Sequence, residues 1–172
     1  MKRDPVFETF LERQLRLGLQ LAGESDLLDL LPVPESPPSQ YLAHFNCRGL
    51  VWRSNEAVEV ESFLVGIHFP RTYLQFPSPG IVTWLEPGEI WHPNILGPAG
   101  HICLGNLAPG TPLDSILEQC FRIITYQKLT MREDDALNHD ACVWARRNQH
   151  RFPIDPRPLR RQTRAIRAEV LG

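Results

Sequence analysis

The chain has 172 residues, of which 42% are hydrophobic, and this composition suits one domain with its own core. Its formal net charge of −2 at pH 7 argues against general nucleic-acid binding, and its longest apolar runs are too short to span a bilayer. The charged N-terminus lacks the apolar region of a signal peptide and the four cysteines form no CxxC pair, so we expect a cytoplasmic protein with reduced thiols.

The first predicted element is an amphipathic helix over about residues 5–22. Apolar residues recur at helical spacing, and charged residues occupy the opposite side. Gly23 would end this helix, and the proline-rich connector over 32–39 cannot continue it. The apolar side comprises Phe7, Phe10, Leu11, Leu15, Leu19 and Ala22.

The next part of the chain has the alternation and the residue types of β-strands. It predicts a four-stranded antiparallel meander. Four hydrophobic side chains of the longest strand would share one face, namely Phe63, Val65, Ile67 and Phe69. The four predicted strands cover residues 41–47, 50–53, 58–69 and 81–84.

Helices are predicted after the strands, which makes the chain a single α+β domain. Thr111 would be the N-cap of the second helix, with Pro112 at its first position. A third helix would follow a cap at Asp134-Asp135, and an arginine-rich fourth helix would cover about 158–171. The second helix would bury Leu113, Ile116, Leu117, Cys120 and Ile124. The third helix would bury Leu137, Ala141 and Trp144. The fourth helix would carry Leu159, Thr163, Ile166 and Val170 on one face.

The side chains best suited to chemistry lie between residues 91 and 104. His92-Pro93-Asn94 is followed, nine residues after the asparagine, by Cys103. A cysteine can hold an acyl group as a thioester, and an asparagine amide can donate hydrogen bonds to the oxygen that becomes negative when the thioester is attacked. The pair therefore indicates thioester chemistry. Taken singly, each also fits a structural role, as a buried hydrophobe or as part of a turn.

Four ordered elements carry a family resemblance over roughly residues 41–150. They are FLVGIHFP with the following RTY at 63–73, His92-Pro93-Asn94, Ile102-Cys103-Leu104, and Asp134-Asp135-Ala136-Leu137. In this order they resemble the third strand and Phe-Pro-x-x-Tyr turn, the active-site loop, and the acidic turn of the ubiquitin-conjugating enzymes.

The resemblance implies the ubiquitin-conjugating catalytic fold and a two-step reaction that needs no cofactor or metal. Cys103 would take a ubiquitin-like protein as a thioester from an activating enzyme, and an amine on a protein target would attack it. Asn94 would stabilise the oxyanion or hold the active-site loop, which His92 and Pro93 would support. Asp135 would orient the amine and help it lose its proton, although a solvated helix cap fits this residue equally well.

Two exposed regions of the predicted fold are candidates for binding partner proteins, namely the first helix and the basic C-terminus. The family meets its activating enzyme through the first helix, which points to Arg13 and Arg16, although a solvated helix face explains either residue alone. The basic C-terminus favours docking of an acidic protein partner over contact with its own domain or with nucleic acid. Its arginines are Arg157, Arg160, Arg161, Arg164 and Arg167.

Two departures from the family pattern affect the site. The spacing from Asn94 to Cys103 is one residue longer than is typical, which predicts a bulge over 96–100. After the cysteine, Gly105 and the loop over 107–112 replace the usual aspartate and Trp-Ser-Pro, so the ligase contacts of that loop are not implied. The chain also has sixteen arginines and only two lysines. Together with this bias, the divergence is closer to a bacterial ubiquitin-like conjugation system than to a eukaryotic one.

Three other functions stay open at this point. A non-catalytic binding module of the same fold would hold a ubiquitin-like protein without a thioester, but such variants generally lack the cysteine. A cysteine peptidase would need His101, His139 or His150 as its base, and no peptidase signature surrounds Cys103. A metal site could also be formed by His92, His101 and Cys103, but the spacing of these three residues matches no recognised zinc motif.

Overall fold

The computed structural model describes residues 4–96 and 100–161 as an α+β fold with an N-terminal helix, an antiparallel sheet and C-terminal helices. The first helix, α1 (Pro5–Gly23), confirms the predicted one. The Asp4 carboxylate accepts hydrogen bonds from the backbone N–H groups of Val6 and Phe7 and so satisfies free donors of the first turn. No helix in these two ranges is long and apolar enough to cross a membrane.

Among the described residues, the main sheet has six strands, not the four predicted. Their order is β1-β2-β5-β6-β8-β7, and every neighbouring pair is antiparallel. The six are β1 (Leu28–Pro32), β2 (Gln40–Phe45), β5 (Phe63–His68), β6 (Val82–Glu86), β7 (Ile95–Leu96) and β8 (His101–Ile102), and a separate hairpin contains β3 (Gly49–Arg53) and β4 (Glu56–Val60).

The predicted meander is wrong in its connectivity. Residues 58–69 form parts of two strands, and β2 pairs directly with β5. The predicted strand over 50–53 leaves the main sheet and pairs with β4 through a turn at Ser54 and Asn55, whose φ angles are 51° and 63°. Two positive φ angles in a two-residue turn match the twist of a tight hairpin. Strand β1, which no predicted element covered, forms one edge of the sheet.

The β3–β4 hairpin packs against the segment that precedes His92. The backbone N–H of Trp91 donates to the Leu50 carbonyl at 2.9 Å, and that of Trp52 donates to the Glu89 carbonyl at 2.7 Å. The indole rings of Trp52 and Trp91 stack with their centroids 4.1 Å apart. The hairpin therefore supports the backbone that leads into the candidate site.

The second helix, α2 (Leu113–Ile124), is capped from another helix and not by its own neighbours. Gln14 of α1 is 1% exposed, and its Oε1 accepts the Leu113 N–H at 2.8 Å. The predicted N-cap at Thr111 is wrong, because its hydroxyl donates to the Ala108 carbonyl and Pro112 precedes the helix. The predicted apolar face is confirmed, since Leu113, Ile116, Leu117, Cys120 and Ile124 are all buried.

Replacing Gln14 by alanine is expected to destabilise the fold by about 1–3 kcal/mol, because the buried Leu113 N–H loses the side-chain oxygen that accepts it. Urea unfolding of the variant measures this loss. The control is Gln20→Ala in the same helix, where the side chain is exposed and bonds only to Glu24. Equal losses in the two variants would show that the cross-helix bond contributes nothing.

The third helix, α3 (His139–Arg147), begins later than predicted. The side chain of Asn138 accepts the Ala141 N–H at 3.0 Å and is the N-cap. The predicted cap at Asp134-Asp135 is wrong, because these residues lie in a separate 3₁₀ turn, Glu133–Asp135. Of the three predicted core residues, Ala141 is buried, Trp144 is half-buried and Leu137 is exposed.

The described part of the basic C-terminus docks on its own domain. Residues 158–161 are not helical, and the rest of the predicted fourth helix lies outside the described residues. Arg160 pairs with Glu24 at 2.8 Å and Arg161 with Asp26 at 3.3 Å, both next to the end of α1. The sequence favours an acidic partner protein for the basic C-terminus. Arg160 and Arg161 instead contact acidic residues of their own domain.

Candidate active site

The β7–β8 hairpin brings Asn94 and Cys103 together. The Cys103 N–H donates to the Asn94 carbonyl at 2.8 Å, next to the pairing of Ile95 with Ile102. Gly100 enters β8 with a φ of 66°, and a Cβ there would lie 2.6 Å from the Trp84 carbonyl oxygen, so only glycine fits. Most of the predicted bulge, residues 97–99, lies outside the described residues.

The Asn94 side chain connects the two sides of the site. Its Oδ1 accepts the Thr130 N–H at 2.8 Å, and its Nδ2 donates to the Cys103 carbonyl at 3.4 Å. The second bond is long and therefore weak. The other Nδ2 hydrogen has no acceptor in the part of the chain that the structure describes. The geometry thus accommodates both predicted roles, loop holding and donation to an oxyanion.

His92 and Pro93 shape the loop. His92 is fully buried, its Nδ1 accepts the Asn94 N–H at 3.0 Å, and its ring packs edge-on against Tyr126. Burial lowers the pKa of His92 to about 3, so its ring is neutral at pH 7 and a poor proton acceptor. The Pro93 carbonyl accepts the N–H groups of Leu137 and Asn138 at 2.9 and 3.1 Å, which ties the loop to the chain before α3.

We expect the buried His92 to make the fold acid-sensitive. Its pKa in the folded chain is depressed, so between about pH 6.5 and 3 the unfolded chain binds a proton that the folded chain does not. The free energy of unfolding therefore decreases as the pH is lowered through this range. The loss should reach about 2 kcal/mol by pH 5. Urea unfolding across this range should show a flatter pH dependence for His92→Asn, which keeps an acceptor where Nδ1 lies. An unchanged slope would place the acid sensitivity elsewhere.

Cys103 is the half-buried thiol among four free cysteines. The other three, Cys47, Cys120 and Cys142, are buried. Burial raises the pKa of each, to about 12 for Cys120, so these thiols stay protonated at pH 7. Thiol chemistry at neutral pH is therefore expected at Cys103.

Asp135 precedes the segment that bonds to the active-site loop, and its carboxylate is paired with a cation. Its 3₁₀ turn immediately precedes the residues that bond to Pro93. Its exposed carboxylate pairs with Arg132 Nε at 3.2 Å and caps no helix. The interpretation as a helix cap is wrong, and the role in orienting an amine stays a prediction.

Within residues 4–96 and 100–161, the structure does not bring together the residues that a cysteine peptidase or a metal site would need. No histidine there forms a hydrogen bond or ion pair with Cys103, and His139 instead bonds to Glu133 at 2.9 Å. His101 and His150 are exposed. No group of three or more potential metal ligands exists among these residues, and the Nδ1 of His92 is already occupied by a backbone N–H.

Arg13 and Arg16, the predicted partner-binding residues, are exposed on α1. Neither forms an ion pair within the described ranges. One residue that sequence analysis did not place at the site is Lys128, whose Nζ donates to the Leu104 carbonyl at 2.6 Å. Its only sequence signal was rarity, since the chain has two lysines and sixteen arginines.

No protein-family model matches this sequence, and no curated protein matches it. The functional interpretation therefore depends on the geometry around Asn94 and Cys103.

Proposed function

We propose that this chain is a ubiquitin-conjugating-type enzyme. Cys103 accepts a ubiquitin-like protein as a thioester from an activating enzyme, and the acyl group passes to an amine on a protein target. The observation that carries the proposal is the paired hairpin that sets a half-buried thiol beside a carboxamide donor, with Cys103 N–H 2.8 Å from the Asn94 carbonyl. The order of helix, antiparallel sheet, site loop and helices supports it.

The first step is a thioester exchange. The Cys103 sulfur attacks the carbonyl carbon of the thioester held by the activating enzyme, and a new carbon–sulfur bond forms. The bond to the activating enzyme's sulfur breaks, and the proton lost by Cys103 balances the thiolate that leaves. This step needs no ATP or cofactor at the site, because the thioester already carries the activation.

In the second step, a neutral amine attacks the Cys103 thioester. The carbonyl oxygen becomes negative, and the uncommitted Nδ2 hydrogen of Asn94 is the nearby donor that can stabilise it. The intermediate then releases the Cys103 sulfur, forms an amide, and gives up the amine proton. Asp135 is the proposed acceptor of that proton, once the incoming amine displaces Arg132 from its carboxylate.

The loop around the thiol is held from three sides, which supports transfer in a fixed geometry. Trp91 is bonded to the β3–β4 hairpin, Pro93 to the segment before α3, and the Asn94 side chain to Thr130. Preorganised donors contribute most when they do not move during the reaction. The exposed Arg13 and Arg16 on α1 are the proposed contacts with the activating enzyme.

The test is a requirement assay with a candidate activating enzyme and a candidate ubiquitin-like protein. Conjugation to free lysine should require this chain, both partners and ATP, because the activating enzyme consumes ATP upstream. Omission of any component should abolish the product. Cleavage of peptide substrates without ATP would instead support a cysteine peptidase and overturn the proposal.

A further inference from the structure

Lys128 is held against the chain immediately after Cys103. Its Nζ donates to the Leu104 carbonyl at 2.6 Å and to Gln119 Oε1 of α2 at 2.8 Å. A Cβ on Gly105 would lie 4.0 Å from the same Nζ. The first hydrogen bond and the closeness of Gly105 place the ammonium group beside the Leu104–Gly105 peptide unit, one residue after the reactive thiol.

The charge of Lys128 is not neutralised by a carboxylate. Both of its acceptors are uncharged, and the described residues show no ion pair to it. Burial, and then the charge of Arg122, lower its pKa, while negative charge on Cys103 or Cys120 opposes this change. Its positive field is therefore available to the Cys103 sulfur.

A lysine at this position is also unusual for the chain. Arginine supplies sixteen of its eighteen basic residues. An ammonium is a compact point charge with three donors, whereas a guanidinium is a planar fork. The compact group suits a position in which one donor bonds to a backbone carbonyl, a second bonds to an amide, and the charge stays close to both.

We infer that Lys128 is a positioning residue for Cys103, which fixes the backbone after the thiol and sets a positive charge beside the reacting sulfur. The sulfur is negative as the thiolate that attacks and again as the thiolate that leaves, and a nearby cation stabilises both states. The effect on transfer rests on the proposed function. The effect of the charge on the thiol does not, and it can be measured without any partner protein.

The experiment compares two alkylating reagents at Cys103, anionic iodoacetate and neutral iodoacetamide. Both react with the thiolate, so the ratio of their rate constants cancels changes in thiol ionisation and reports the local charge. Lys128→Met should lower the iodoacetate to iodoacetamide ratio severalfold, up to about fivefold, which is the effect of one unit charge on another at about 4 Å in water. Lys128→Arg should restore most of the ratio.

Two matched variants complete this experiment. Arg147→Met removes an exposed charge from α3 and should leave the ratio unchanged. Cys103→Ala measures any alkylation of the three buried cysteines. An unchanged ratio in a folded Lys128→Met variant would overturn the inference.

A measurement on the unaltered protein covers the case in which Lys128→Met does not fold. Added salt screens charges, so the ratio should fall with ionic strength if a local cation attracts iodoacetate. If the net charge of −2 governed the reaction instead, the ratio would rise with salt. A rising or constant ratio would contradict the inference whatever the outcome of the conjugation assays.

Discussion

Cys103→Ala is expected to abolish formation of the covalent adduct with the ubiquitin-like protein while leaving the fold intact. The change removes only a half-buried sulfur, whereas the other three cysteines are buried and protonated. Far-UV circular dichroism and urea unfolding check the fold, and intact mass checks the adduct. A surviving adduct on the alanine variant would contradict the assignment of Cys103.

The matched variant is Cys103→Ser, which keeps a nucleophilic atom at nearly the same position. It should form an oxyester in place of the thioester, so its adduct should resist reductant and be released by alkali. Serine is a poorer nucleophile than cysteine at neutral pH, so this adduct should accumulate more slowly. An adduct on Cys103→Ser that reductant still removes would mean that another thiol carries the acyl group.

Asn94→Ala is expected to slow transfer to an amine about 10²–10³-fold, with a much smaller effect on charging of Cys103. The donor matters once the carbonyl oxygen becomes negative, and removal of one such donor typically has an effect of this size. A single-turnover assay measures it, in which a preformed thioester is mixed with free lysine. Discharge at the wild-type rate would show that Asn94 takes no part in transfer.

Asn94→Asp separates the two roles of this side chain. It keeps an oxygen to accept the Thr130 N–H but loses the Nδ2 donor that faces Cys103. If donation to the oxyanion dominates, the aspartate variant should be as slow as the alanine variant or slower, because it adds a negative charge. Recovery of wild-type discharge in Asn94→Asp would assign Asn94 to loop holding alone.

The elements that the sequence predicts well are those whose pattern is local. The period of α1, the buried face of α2 and the alternation of Phe63, Val65 and Ile67 all reflect which side of a single element faces the core. The pairing of Asn94 with Cys103 was also accessible, because both residues lie within one short hairpin.

The features that sequence analysis missed depend on contacts between distant segments. The cap of α2 comes from Gln14, 99 residues away, and no local signal identifies it. Strand β1 becomes a strand by pairing with β2, and the β3–β4 hairpin is held by Trp91. Lys128 bonds to the Leu104 carbonyl from 24 residues away, and no local pattern identifies that contact. Propensity and periodicity carry no information about such pairings.

The most direct test of the central claim is the intact mass of the wild-type protein after co-expression with a candidate activating enzyme and a candidate ubiquitin-like protein, recorded with and without reductant. We predict a mass increase equal to the ubiquitin-like protein less one water, present without reductant and absent after it. No increase, with both partners shown to be active, would contradict a thioester on Cys103 and favour a non-catalytic binding module of the same fold.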